Sequence, residues 1–383
     1  MEHNSRRVKI PLEVFIKRSW PILALGAVLV LLTVSALVWY AVSGAGRKQA
    51  ETDANATSTA PEAPMSLDGL VPRALDGVLV LPDEARLQAY AVMVENHTEA
   101  RPMSGPALAN LAYEFPVEGG ITRYLLVFDA TTTVESIGPV RSARPYFVDV
   151  ADGLSAVYAH VGGSPEALSQ IKKLKGFRDL NEMSSGKYFW RSAKRSAPHN
   201  VYTNSETLWQ AALAKQFEAG KFLGWHYKDD YPLESATATV RGSADGPTVK
   251  YGGSYNVAWK YDKESNAYSR REAGVIQKDA DGTPVTAKNV VVVRTDGQVL
   301  DAEGRLKIRT TGRGQAVIYR DGLSFEAQWR RNAGEHYRFE TTDGADALFN
   351  RGTTWIQISL NSGTFDYSTS TSPDVAGATS TKP

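Results

Sequence analysis

The sequence predicts an α+β protein: an N-terminal α/β ectodomain and a C-terminal mostly-β domain, preceded by one transmembrane helix. Three observations carry this. A long apolar run stands near the N-terminus, apolar runs alternate with helix-capping signals through the next 170 residues or so, and period-two alternation with hairpin turns fills the rest.

The apolar run is Trp20 to Val42, and no charge interrupts the chain between Arg18 and Arg47. As a helix, Pro21 to Val42 covers about 33 Å, enough to cross the hydrocarbon core, with Trp20, Trp39 and Tyr40 at the interfaces. Arg6, Arg7, Lys9, Lys17 and Arg18 precede it against Glu2 and Glu13, so the positive-inside bias keeps 1–19 as a cytoplasmic tail and exports the chain beyond Arg47. A secretory signal peptide cleaved near Ala41-Val42-Ser43 is the competing reading, but the run is longer than a usual signal core, which favours an uncleaved anchor. The expectation is a single-pass protein of the cell membrane, held by helix 20–42, with its C-terminal domains extracytoplasmic.

Composition fits folded domains outside the cell: 42% hydrophobic, 22% charged, net charge +1, with nothing to suggest a nucleic-acid partner. Cysteine is absent, which excludes disulfides, a thiol nucleophile and a lipid-modified cysteine. Residues 43–66 read as a flexible linker, since Ala50 to Pro64 lacks large apolar side chains, and 367–383, rich in Ser and Thr, as a disordered tail. The intervening length, about 300 residues, suits two domains, 67–234 and 235–366.

In the first domain, Tyr90–Val94, Ile121–Phe128 and Ser155–Val161 read as strands. The third leads into a helix capped by Ser164 with Pro165 at its first position, Leu168, Ile171 and Leu174 on one face, and Gly176 as its stop. A second helix is expected from Thr203, with Glu206 completing a capping box and Leu208, Trp209, Ala212, Leu213 and Phe217 buried. In the second domain, Tyr255–Tyr261, Val290–Val293, Ala316–Tyr319, Phe325–Trp329 and Trp355–Ile358 read as strands, with a hairpin turn at Asp321-Gly322.

Chemistry-bearing residues crowd between Glu95 and Asn200. The strings Glu95-Asn96, Ala100-Arg101-Pro102, Tyr113-Glu114, Glu118 to Arg123, Ile137 to Tyr146, Gly162-Gly163-Ser164-Pro165 and Ala197-Pro198-His199-Asn200 resemble the N-terminal part of the YerB-like extracytoplasmic proteins. Asn289–Val292, Gly312-Arg313-Gly314 and Gly352–Ile356 are similar, more loosely, to the C-terminal part of that two-part family of bacterial envelopes, which is a domain of unknown function. The resemblance implies an envelope protein tied to cell-wall metabolism rather than a particular reaction. The family is typically lipid-anchored through a cysteine, and here a membrane helix would replace the lipid.

The residues themselves suggest an anion site. A strand ending at His160, then Gly162, Gly163 and the capped start at Ser164, offers N–H donors and a helix dipole. From Arg141 to Arg195 there are ten Lys or Arg against five acids. Arg141 and Arg144, assisted by Arg123, Arg191, His199 and Asn200, are the expected ligand-binding set, since the arginine fork suits phosphate or carboxylate. The expected partner is a cell-wall polymer or an envelope protein.

The alternative is a cell-wall-polymer hydrolase or transferase working through a carboxylate pair, with Glu114, Glu118 and His160 as catalytic candidates. Structural ion pairing of the same glutamates with Arg101, Arg123, Arg141 or Arg144 is the plainer use of them. Ser164, followed by proline, is no nucleophile elbow. His160 and His199 lack metal-ligand spacing, and no cofactor motif is present.

The topology reading has a direct check. Protease added to wall-stripped cells should digest everything after Arg47 and leave 1–19 protected; protection of the C-terminal domains would reverse the orientation.

Overall fold

Strands buried at every position need cover on both faces, and four of this chain's strands, apolar but for a few polar residues, are of that kind. In the computed structural model, which describes residues 69–85, 88–220, 222, 224–230, 242–361 and 366–368, these strands form the centre of a ten-stranded mixed sheet. In chain order the sheet is made from β1 (Ala89–Glu95), β2 (Leu111–Pro116), β3 (Thr122–Asp129), β4 (Val157–His160) and β5 (Asp179–Asn181). Past the middle of the chain come β6 (Asn289–Thr295), β7 (Gly312–Arg320), β8 (Leu323–Arg331), β9 (Arg338–Thr341) and β10 (Thr354–Leu360). The spatial order is β9-β8-β7-β6-β10-β2-β3-β1-β4-β5. Every residue of β1, β2, β3 and β10 is buried.

The protein is mostly sheet with few helices. A smaller sheet is built on the hairpin Val257–Asp262 and Ala267–Glu272, flanked by Thr248–Lys250 and by Asp366–Ser368. Tyr367 and Ser368, expected to open the tail, thus pair with Val249 and Thr248. The stretches expected as an α/β and a β domain supply five strands each to the large sheet, joined by the parallel pairing of β10 with β2, Thr354 opposite Leu111 through Gln357 opposite Glu114. The expected boundary at 234/235 and the expected membrane helix 20–42 lie outside the described residues. Among the described residues no helix is long and apolar enough to cross a membrane.

The helices pack on the N-terminal half. The Ser164 hydroxyl accepts the Ala167 N–H at 3.3 Å and caps Pro165–Lys173, as its sequence requires. The second expected helix, Ser205–Ala214, has its cap one residue later than expected. Asn204 is the cap and pairs reciprocally with Thr207, because the Thr203 hydroxyl is buried and donates to the Tyr188 carbonyl at 2.9 Å. Leu208, Ala211 and Ala212 face inward, whereas Trp209 and Leu213 are exposed. The Asp321-Gly322 hairpin forms with both residues at positive φ, 56° and 65°. A Cβ at Gly322 would sit 2.4 Å from the Tyr261 ring, so the turn admits only glycine there.

One charged group lies in the centre of all this. Arg270 is fully buried, donates to Glu114 Oε2 at 2.7 Å, and lies over the rings of Tyr124 and Trp355, 5.3 and 5.1 Å from their centroids. Burial opposes its charge, but Glu114, Tyr124 and Glu272 together outweigh that and raise its pKa. Removing Arg270 strands a buried carboxylate. Arg270→Met should therefore lower unfolding free energy by about 3–5 kcal/mol in urea titrations, and adding Glu114→Gln should recover part of that loss. Strictly additive losses would show that the two groups act independently.

Candidate functional site

The expected site residues fall into two groups. In the first, segment 137–143 runs beside β1: Glu95 N–H bonds to the Pro139 carbonyl at 3.0 Å and Arg141 N–H to that of Met93 at 2.9 Å. The same segment receives the ribbon of Trp190–Arg191 and Val201–Tyr202, through Val140 N–H to the Val201 carbonyl at 2.7 Å. These two pairings carry Arg141 and His199 to the end of β1. Glu95, 2% exposed, forms an ion pair with Arg141 Nε at 3.1 Å through one oxygen and contacts His199 Nδ1 at 2.7 Å through the other.

Around this core the chain turns sharply. His97 caps a 3₁₀ turn at Thr98–Ala100, its Nδ1 accepting the Glu99 N–H at 3.3 Å, and its ring stacks on that of His199 with centroids 5.2 Å apart. His199 Nε2 is 3.2 Å from Glu99. Arg191 donates to Asn200 at 3.2 Å and to Glu182 at 2.9 Å. Arg195 reaches back across the turn and donates to the carbonyls of Glu99 and Pro102 at 3.0 and 2.8 Å.

Between the turn and the ribbon lies a cleft of about 860 Å³. Ser104, Ser136, Ser192 and Ser196 line it with hydroxyls, Lys194 and Arg195 with cations, and Glu99 and His199 with groups able to move protons. Trp190, stacked on Tyr202 at 6.2 Å, gives it an exposed aromatic face. Among the described residues neither Lys194 nor Arg195 has a carboxylate in ion-pair reach.

The second group is arranged for structure. Arg144 grips Glu118 with its fork, at 2.5 and 3.0 Å, and its remaining nitrogen donates to Ser142 Oγ and the Ala143 carbonyl. Burial alone would raise the Glu118 carboxyl, yet Arg144 holds it below the usual carboxylate range. Arg123, 4% exposed, donates to the Ser142 carbonyl, and burial with the charges of Arg144 and Arg141 brings its pKa down to about 10. His160 is fully buried between the Gly162 carbonyl and Asp179, at 2.6 and 2.7 Å.

Gly163 packs closely against Ala143 and Leu168. A Cβ there would lie 3.1 Å from that of Ala143, with which it forms a β-bridge. At the helix start the Ala167 and Leu168 N–H groups are taken by the Ser164 side chain and carbonyl, and Glu166 supplies a carboxylate of its own. The carboxylate candidates are equally engaged: Glu114 is fully buried against Arg270 and accepts from Thr122 at 2.7 Å, and Glu118 is held by Arg144.

The residues that sequence spacing did not reveal are joined only in space. His97 and Glu99 stand two residues apart in a short turn, and His199 lies about a hundred residues on; the fold brings ligand atoms of all three within 4.8 Å of one another. Lys194 and Arg195 contribute to the basic excess of the sequence, with no motif around them to set them apart.

Comparison with known proteins adds the family. The N-terminal domain of a protein of unknown function, DUF3048, matches residues 75–218, and its C-terminal domain matches 247–356. YerB of Bacillus subtilis (strain 168), a protein named as a candidate lipoprotein, is 33% identical over 276 residues, 70% of this chain and 80% of that one. The crystal structure of YerB from Bacillus subtilis superposes with a TM-score of 0.68 at 29% identity, covering 77% of this chain and 98% of that one.

A buried acid next to the cleft gives a pH test. Asp279 precedes Ala280, which lines the cleft, and is 5% exposed; burial raises its carboxyl to about 7 against a bond from the Ala107 N–H. The folded state keeps the proton to about pH 7 while the unfolded chain releases it near 3.8, so stability from this group falls between those values and levels off above. Asp279→Asn should thus gain on the parent protein by up to a few kcal/mol as pH rises from 4.5 to 8 in urea titrations. A pH-independent difference would place the burial penalty elsewhere.

Proposed function

This chain belongs to the DUF3048 family, and from that premise we propose an extracytoplasmic protein of the bacterial cell envelope that binds an anionic envelope ligand in the cleft between the 97–102 turn and the 190–202 ribbon. The name of YerB as a candidate lipoprotein and the apolar stretch 20–42 both support an anchored protein facing outward. This chain has no cysteine to carry a lipid, so the stretch 20–42 would be its anchor.

The observation that carries the ligand reading is Arg195. Its guanidinium is fixed by two carbonyl acceptors in the wall of the cleft and has no carboxylate partner among the described residues, so its charge is oriented but not neutralised. Lys194 adds a second cation. Four serine hydroxyls suit the hydroxyls of a glycan, and the Trp190 face suits the apolar side of a sugar ring. An acidic wall glycan or a teichoic-type polymer combines these features. The carboxylate-pair enzyme reading has less to stand on, because Glu114 and Glu118 each hold an arginine.

Titrating the purified chain with a teichoic-type polymer fragment at low salt tests this. Arg195→Gln should weaken binding by about 10-fold or more, the worth of one charge-assisted hydrogen bond, and Trp190→Ala by a similar factor, with thermal midpoints little changed. Equal affinity in the parent and both variants would remove the cleft from consideration.

A further inference from the structure

We infer that His97, Glu99 and His199 form a divalent-metal site of the zinc class, with Glu95 as the carboxylate that orients His199. This does not depend on the anion reading, since it rests on other side chains. One nitrogen from each histidine and one Glu99 oxygen already lie within 4.8 Å of one another. Tetrahedral bonds of 2.0–2.1 Å place ligand atoms roughly 3.3 Å apart. His199 Nε2 and the Glu99 oxygen, at 3.2 Å, stand at that separation before any metal enters. His97 Nδ1, 4.0 Å from the same oxygen, must close on it by under about 1 Å and exchange the Glu99 N–H that it accepts at 3.3 Å for the metal, and the Glu99 side chain, 72% exposed, is free to follow.

The surroundings are those of a metal-binding histidine rather than of a chance surface cluster. His199 Nδ1 contacts Glu95 at 2.7 Å, which places its proton there and turns the Nε2 lone pair towards Glu99 and His97. Glu95 is itself 2% exposed and charge-balanced by Arg141, so the ring is held by a rigid partner. Stacking of the two imidazoles at an interplanar angle of 20° keeps their edges aligned. Two imidazoles and a carboxylate suit zinc, and neighbours such as cobalt or nickel, better than calcium or magnesium, which take all-oxygen sets. Three protein ligands leave a fourth position. Glu99 and His199 line the cleft, so that position opens to whatever the cleft holds.

The test uses the full-length chain without a histidine tag, stripped with chelator and titrated with zinc chloride by calorimetry and with cobalt chloride by visible absorption. The expected result is one equivalent bound with a Kd of about 1 µM or tighter and a tetrahedral cobalt spectrum. His97→Ala and His199→Ala should each weaken binding at least about 100-fold, and Glu95→Gln by about 10–100-fold. His226→Ala, an exposed histidine outside the site, should leave it unchanged. If His199→Ala fails to fold, His97→Ala and Glu99→Gln, at partly exposed positions, carry the comparison. No stoichiometric uptake, or uptake indifferent to these variants in folded protein, overturns the site and shows the cluster to be a hydrogen-bonded ion network. Loss of polymer binding on Arg195→Gln in metal-stripped protein would be unaffected by that result.

Discussion

A guanidinium with no solvent contact constrains how this chain can fold. Arg270 comes from the smaller sheet and Glu114 from β2 of the larger one, so neither charge is tolerable until the two sheets have packed. The network continues outward from this pair. Glu272 is 3.6 Å from Arg270, accepts from Asn96 at 2.6 Å and pairs with Arg101 at 3.1 Å, and Asn96 also donates to Thr122. Asn96 and Arg101 bracket the turn that carries His97 and Glu99. The position of the candidate site is thus set from the core, through fixed polar contacts, and not by loop preference alone.

Partners separate working charge from structural charge. Arg144, Arg141 and Arg101 each face a carboxylate that is half-buried or better, and an external anion would have to displace Glu118, Glu95 or Glu272 to use them. Arg195 and Lys194 face none among the described residues. Arg195 spends its donors on carbonyls, which orient a cation without cancelling it. An oriented and uncancelled charge is the feature that distinguishes a binding residue from a strut.

The elements that sequence made legible are those whose causes are local. Strands such as Ala89–Glu95 and Asn289–Thr295 follow from continuous β-branched and apolar runs, the Asp321-Gly322 turn from its φ requirement, and the 165–173 helix from Ser164 and Pro165. The misses have non-local causes. Leu208 and Ala212 are buried as their spacing predicts, but Trp209 and Leu213, on the same expected stripe, are exposed and Ala211 is buried in their place. Thr203 has the makings of a cap and is claimed by the Tyr188 carbonyl. The pairing of β10 with β2 spans some 240 residues, and nothing in either strand announces the other. At the site, the arginines and glycines stand out by composition, yet their partners decide their roles: Glu118 for Arg144, Ala143 for Gly163.

The histidine cluster shows why such a constellation escapes sequence spacing. His97 owes its place to the end of β1, and His199 owes its own to a ribbon that reaches β1 only through segment 137–143. Two strand-like pairings therefore intervene between residues whose rings stack. Each of those pairings is backbone hydrogen bonding, indifferent to the side chains it delivers, which leaves Glu95 as the residue that makes the delivery chemically specific. Its burial forces it to hold partners on both oxygens, Arg141 on one and His199 on the other. A carboxylate so constrained fixes one histidine nitrogen and directs the other into the cleft, and that single orientation links the fold's internal electrostatics to its accessible chemistry.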